Sequence, residues 1–302
     1  MTELGAAHFS DLCREGPIRA QIDTIEEKRK RAVGRFWMFI IPGLLLAVGA
    51  AVWGATSDNP VIGMVLCIAL IIGSLVLAMG PLNAVGRDIK LPVLEAVSAR
   101  AGLDYFPDGF DPPVFAEATA PLFGSWLSSA VFTDLFEGAD EDGKRYAVYE
   151  AVLTRGHGKN RHQVFRGQIY AFQRRRRQSG ATVAVPDRGL FNFFKPSGGY
   201  DRVKYESDPA FEKKFEVYST HPAEASIMLG TMPRALLLRL REGGKLFVYI
   251  GPEDALIAVH GGDRFEPGSL FRSTAGEARV RLMFDDVCAS MAVLKELRSA
   301  FG

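Results

Sequence analysis

The sequence is poor in cysteine, with three in 302 residues, at Cys13, Cys67 and Cys288. That excludes a disulfide scaffold and a cysteine-rich metal centre. It has no excess of either charge: 36 Lys and Arg stand against 35 Asp and Glu, for a formal net charge of +1. A balanced chain that is 48% hydrophobic is neither disordered nor a broadly basic nucleic-acid binder. Nucleotide and hydrolase signatures are missing too. There is no G-x-x-x-x-G-K-S/T, no G-x-G-x-x-G, no G-x-S-x-G, no H-E-x-x-H and no kinase set. His157 and His162 share a loop without a neighbouring Asp, Glu or Cys, which reads as loop solvation rather than a metal site. The acidic run from Asp140 to Asp142 lacks the alternating ligands of a calcium loop. No catalytic, cofactor-binding or metal residue is assigned. A catalytic set assembled only in space stays open.

What the sequence does have is two charge-free apolar runs, Phe36 to Thr56 and Val61 to Leu82. At about 1.5 Å per residue, either helix would cover a hydrocarbon core of about 30 Å. Ser57, Asp58, Asn59 and Pro60 join them, so the pair predicts an antiparallel transmembrane hairpin with both ends on one side. Lys28, Arg29, Lys30, Arg31 and Arg35 precede the first run, Arg87 and Lys90 follow the second, and the tip has no basic residue. Positive charge stays inside, which predicts a multi-pass membrane protein with both termini cytoplasmic. Trp37 and Trp53 mark the two ends of the first run. Gly43, Ala47 and Ala51, and Ala69 with Gly73, have the small-residue spacing of close helix packing. With no charged residue inside, the hairpin reads as an anchor rather than a pump.

The expected organisation is a cytoplasmic juxtamembrane prefix over 1–35, helical from Ile18 to Arg35, then the two-helix transmembrane hairpin over 36–82 and a cytoplasmic α+β domain over 88–302. In the prefix, Lys28, Arg29, Lys30 and Arg31 either touch anionic lipid or only set the orientation. The domain opens with a helix from Ile89 to Ala101 and an extended coil from Tyr105 to Pro121. Strands follow at Ala130 to Phe136, Arg145 to Thr154, Gln163 to Gln173 and Thr182 to Val185, with Phe215 to Tyr218 extended. Helices are predicted from Pro222 to Met228 and from Thr231 to Leu240. Lys245 to Ile250 and Asp254 to His260 form a hairpin. Met283, Val287, Met291, Leu294 and Leu297 mark a C-terminal amphipathic helix. The fold class is α+β: an N-terminal transmembrane α-hairpin, then a soluble domain with an antiparallel sheet and packed helices.

The segment FEKKFEVYS from Phe211 to Ser219, followed by Glu224, Ala225 and Leu229, resembles the signature of the bacterial domain-of-unknown-function family 3137. The polar N-terminal helix, the two-span hairpin, the strand pair at Tyr149–Val152 and Val164–Gly167, and the stretch from Leu246 to Pro267 fit the same pattern. The resemblance implies the anchored architecture and no mechanism. Thr220 and His221 stand where an acidic residue usually follows Ser219, and Ser226 stands where Arg usually follows Ala225.

Two surfaces are candidates for contact. Arg174, Arg175, Arg176 and Arg177 close a basic stretch without acids that begins at Arg155. They suit a solvated loop and strand end, an anionic membrane surface, or nucleic acid or an acidic protein. Leu190, Phe191, Phe193 and Phe194 lie in a turn-rich loop, either exposed as a wedge or folded over the core. Together these features predict an adaptor domain held at the membrane, with the lipid bilayer and a membrane or cytoplasmic protein as its contacts and no cofactor, and they disfavour nucleic acid as a partner. An anionic-lipid sensor using Arg174 to Arg177 and a membrane-bound enzyme are the alternatives.

Overall fold

The computed structural model describes residues 6–14, 16–57, 59–124, 127–187, 196 and 199–302. The chain divides into two compact units. A hairpin unit comprises Leu4–Val97 and Phe265–Asp286, and a sheet unit comprises Ser98–Arg264 and Val287–Gly302.

The hairpin unit is built on α1 (Ala6–Arg14), α2 (Gly16–Thr56) and α3 (Pro60–Ala101). The charged prefix helix and the first apolar run are one continuous helix, α2. The second run and the helix expected from Ile89 are likewise one, α3. A switch from polar to apolar side chains changes the preferred solvent and not the backbone, so neither helix stops there. Both are long and apolar enough to cross a membrane. Along 36–56 and 61–82 most large apolar side chains are exposed, Leu45 at 69% and Val76 at 67%, where a soluble core helix would bury such residues.

The buried face of the hairpin is small. Ala47, Ala50 and Gly54 on α2, and Gly63 and Ala78 on α3, are buried. Gly43 on the same face meets the Ser74 side chain. Ala51, Ala69 and Gly73, expected in this seam, are exposed instead. A helical stripe advances by alternating steps of three and four, which carries it from Ala47 to Ala50 and Gly54 rather than to Ala51.

The segment Phe265–Asp286 closes onto the polar stems of the same unit. Phe36 packs edge-on against Phe271 with ring centroids 5.0 Å apart. Lys90 reaches Glu266 at 2.6 Å. At the start of α8 (Gly276–Phe301), Gly276 lies against the backbone of α2, where a Cβ would fall 2.5 Å from the Ile22 carbonyl oxygen. Phe284 on α8 packs on Phe9, which also lies 4.6 Å beneath the Arg281 guanidinium.

The sheet unit is one antiparallel nine-stranded sheet, in the order β1-β2-β3-β4-β9-β8-β5-β7-β6. The strands are β1 (Asp104–Phe106), β2 (Leu127–Ala139), β3 (Arg145–Arg155), β4 (His162–Gln173), β5 (Thr182–Pro186), β6 (Asp201–Val203), β7 (Phe215–Ser219), β8 (Leu246–Ile250) and β9 (Asp254–His260). On β3, Tyr146, Val148 and Glu150 point one way and Ala147, Tyr149 and Ala151 the other, yet all six are buried. That is the mark of a sheet covered on both faces. α4 (Phe115–Phe123) covers the Tyr149 face, where Phe115, Leu122 and Phe123 join Phe165, Ile169 and Phe247 in one core. The later turns of α8 cover the opposite face, where Ser290 meets Gln168 at 3.0 Å. Val287, Leu294 and Leu297 are fully buried there, as their spacing predicts.

The stretch from Tyr105 to Pro121, expected as coil, holds β1 and most of α4. Phe115, Ala118 and Leu122 recur at steps of three and four and are buried on one side. Pro121 sits in the last turn of that helix, close to the Gly124 cap at φ 76°. α5 (Pro209–Glu212), α6 (Pro222–Met228) and α7 (Thr231–Arg241) flank the β6–β7 edge and β8.

Candidate functional site

The basic residues singled out from the sequence have different surroundings. In the hairpin unit, Arg29 is buried. Its Nε and Nη2 donate to the Glu26 carboxylate at 2.7 Å each, and its Nη1 donates to the Leu270 carbonyl at 3.0 Å. This hydrogen bonding holds the Glu26 carboxyl down at about 2, and Ser273 adds a further donor. Arg31 pairs with Glu27, Lys30 lies 4.0 Å from Glu26, and Lys28 is half-buried.

In the sheet unit, Arg174 is buried between two strand ends and the C-terminus of α8. Its Nε donates to the Phe301 carbonyl at 2.9 Å and its Nη1 to the Gly251 carbonyl at 3.2 Å. Burial lowers its pKa from the usual arginine range. Arg175 pairs with Asp142 at 3.2 Å and Arg177 with Glu253 at 3.0 Å, while Arg176 is exposed. The neutralising acids come from the β2–β3 and β8–β9 turns. Only folding brings them to a stretch that carries no acid of its own. Leu190, Phe191, Phe193 and Phe194 lie outside the described residues.

The FEKKFEVYS segment builds a packing joint. Phe211 stacks on Phe215 at 4.9 Å and meets Tyr205 edge-on at 5.4 Å. Arg234 lies 5.1 Å over Tyr205, donates to Asp208 at 2.8 Å and to the Leu229 carbonyl at 2.6 Å. The Arg234 hydrogen bond is the main cause of a lowered Asp208 pKa. Glu216 accepts from Arg202 at 2.6 Å and from the Tyr218 hydroxyl at 2.9 Å. Phe211, Phe215, Ala225 and Leu229 are fully buried. The match to the family described as "Protein of unknown function (DUF3137)" covers residues 163–299, which include this joint. Residues 163–299 belong to that family. The apolar DUF3137 signature residues of this chain are thus core-formers, while Lys213 and Lys214 are exposed. Ser226, which replaces the usual Arg, is exposed and bonds the Pro222 carbonyl at 3.1 Å.

No curated protein matches the chain. Among solved structures, the crystal structure of the mycobacterial trehalose monomycolate transport factor A, TtfA, is similar at 13% identity and a TM-score of 0.34. The match covers 67% of this chain and 95% of that one.

Apart from the DUF3137 joint, the described residues of the sheet unit line two open cavities. One, of about 530 Å³, is lined by Phe106, Phe110, Tyr146 and Phe172 with Glu117 and Asp254. Burial, with Glu117 nearby, raises the Asp254 pKa. The other, of about 510 Å³, lies where the C-terminal ends of α4 and α7 meet the ends of β3, β4 and β5. Its apolar lining includes Phe123, Val185 and Phe247, and its polar lining includes Arg155, His162, Arg241 and Lys245. Arg155 and His162 are neighbours across the β3–β4 pair. Arg241 and Lys245 arrive from the α7–β8 connection, far away in sequence, and no local pattern links them to the first two.

Proposed function

We propose that this chain is an integral protein of the bacterial inner membrane that holds its sheet domain at the cytoplasmic face as an interaction module. The observation that carries this reading is the hairpin itself: two helices whose apolar side chains face outward, with basic residues at the stems and none at the tip. Such a surface is stable only when lipid covers it. Basic stems with a tip that lacks basic residues support a cytoplasmic side for both termini.

The adaptor reading is favoured over lipid sensing through Arg174 to Arg177 because three of those four charges already have work inside the sheet unit: Arg174 bonds backbone carbonyls, and Arg175 and Arg177 pair with acids. In-cell crosslinking tests it, followed by purification of the full chain in mild detergent and mass spectrometry of what accompanies it. A stoichiometric protein enriched over an unrelated membrane hairpin supports the module. Recovery of lipid alone contradicts it.

A further inference from the structure

We infer that the cavity bounded by Arg155, His162, Arg241 and Lys245 binds an organic anion: a phosphate or carboxylate headgroup carried on an apolar body. The inference rests on charge, chemistry and shape within the sheet unit, and it goes beyond the membrane-anchored reading.

Charge comes first. Arg155 donates through Nη2 to the Phe123 carbonyl at the end of α4, and Arg241 through Nη1 to the Gly244 carbonyl at 2.8 Å. The first bond satisfies a carbonyl left open where α4 ends, and the second satisfies one in the α7–β8 connection. A carbonyl is neutral, so neither bond cancels the guanidinium charge. Among the described residues, none of Arg155, His162, Arg241 and Lys245 forms an ion pair with a carboxylate. Among the described residues, Asp187 is the one acid in the same lining. Three fixed cations and an imidazole therefore outnumber it.

Unmet hydrogen-bonding capacity comes second. The Nε atoms of Arg155 and Arg241 are both buried without an acceptor. A guanidinium carries five donors in a planar fork that matches two oxygens of a carboxylate or phosphate. Arg202, by contrast, spends its fork on Glu212 and Glu216, and among the described residues of the sheet unit only Arg155 and Arg241 keep a buried guanidinium nitrogen without an acceptor. The pair at the cavity is the exception.

Shape comes third. A volume of about 510 Å³ suits a small organic ligand. The phenyl groups of Phe123 and Phe247 lie 5.0 Å apart beneath the basic rim and form an apolar floor. A bare inorganic ion would leave that floor wet. An anion with an apolar body uses both parts.

The test is titration of the full chain, held in discs of neutral lipid, with hexyl phosphate, inorganic phosphate and hexanol, followed calorimetrically. The site predicts saturable hexyl phosphate binding at least tenfold tighter than inorganic phosphate, and no saturable hexanol binding. Arg241→Gln is expected to weaken hexyl phosphate at least tenfold. The His162→Gln/Lys245→Gln pair, at two exposed positions, should do the same without changing the thermal midpoint. Competition by phosphatidic acid built into the disc assigns the natural headgroup to the bilayer. Absence of competition assigns it to a soluble molecule, and either result upholds the site. Equal binding of hexyl phosphate and hexanol, or wild-type affinity in the exposed-pair variant, overturns it.

Discussion

Gly54 and Gly63 stand face to face across the hairpin: a Cβ built on Gly54 falls 2.7 Å from the Cα of Gly63. Only a residue without a side chain fits at this crossing. Gly54→Leu therefore forces the helices apart, at an overpacking cost of about 1–3 kcal/mol. Gly49 has nothing within 4 Å of a built Cβ and is the control. In lipid discs the thermal midpoint is expected to fall for Gly54→Leu and to stay for Gly49→Leu.

Buried Gln168 links α8 to the sheet. Its Nε2 donates to Ser290 at 3.0 Å and its Oε1 accepts from the Tyr170 hydroxyl at 2.7 Å. Burial pushes the Tyr170 pKa up to about 12, so the phenol stays a donor through the physiological range. Ser290→Ala leaves the Gln168 amide donor without its partner and is expected to lower the urea midpoint by an amount worth about 1–3 kcal/mol. Changing Gln168→Leu and Tyr170→Phe together with Ser290→Ala removes all three polar groups and should cost less than the single change.

The four consecutive arginines should separate by role. Arg174→Met strips the Phe301 and Gly251 carbonyls of a buried donor and is expected to destabilise the sheet unit by about 1–3 kcal/mol. Exposed Arg176→Met should change stability by less than about 0.5 kcal/mol. Equal effects in chemical unfolding would contradict the distinction.

Glu26 makes the hairpin unit sensitive to acid. Its folded pKa of about 2, held down by Arg29, lies below the unfolded value of about 4.3. The stability it supplies is present above that unfolded value and is lost as pH falls toward about 2. Because Glu26 also accepts from Ser273 at 3.2 Å, hydrogen exchange around Ser273 should accelerate as pH drops below about 4.3. Corrected for intrinsic exchange, Glu26→Gln should flatten that acceleration.

Periodicity made much of this architecture legible. Charge-free runs gave α2 and the first part of α3, strict alternation gave β3 and β4, and Met283 to Leu297 gave the face of α8 that packs on the sheet. Composition misled between Tyr105 and Pro121, where Pro and Gly content hid the spacing of Phe115, Ala118 and Leu122. The helix seam was legible as small residues but not in register, since Ala50 and Ala51 differ only in the angle at which they leave the helix. The sites were less legible still. Charge along the chain marks Arg174 to Arg177 as one patch, but partners from the 140–142 turn and Glu253 divide it. The basic cavity brings Arg155 and His162 to Arg241 and Lys245, a meeting that depends on sheet order alone.

The central claim is a membrane hairpin with its sheet domain on the cytoplasmic side. Single cysteines at Ser57 in the tip and at Arg176 in the sheet unit, in a background lacking Cys13, Cys67 and Cys288, test it with a membrane-impermeant maleimide. In right-side-out vesicles the account predicts labelling at 57 and none at 176, with the pattern reversed in inside-out vesicles. Labelling at 176 in intact right-side-out vesicles, or at both positions in the same preparation, would contradict it.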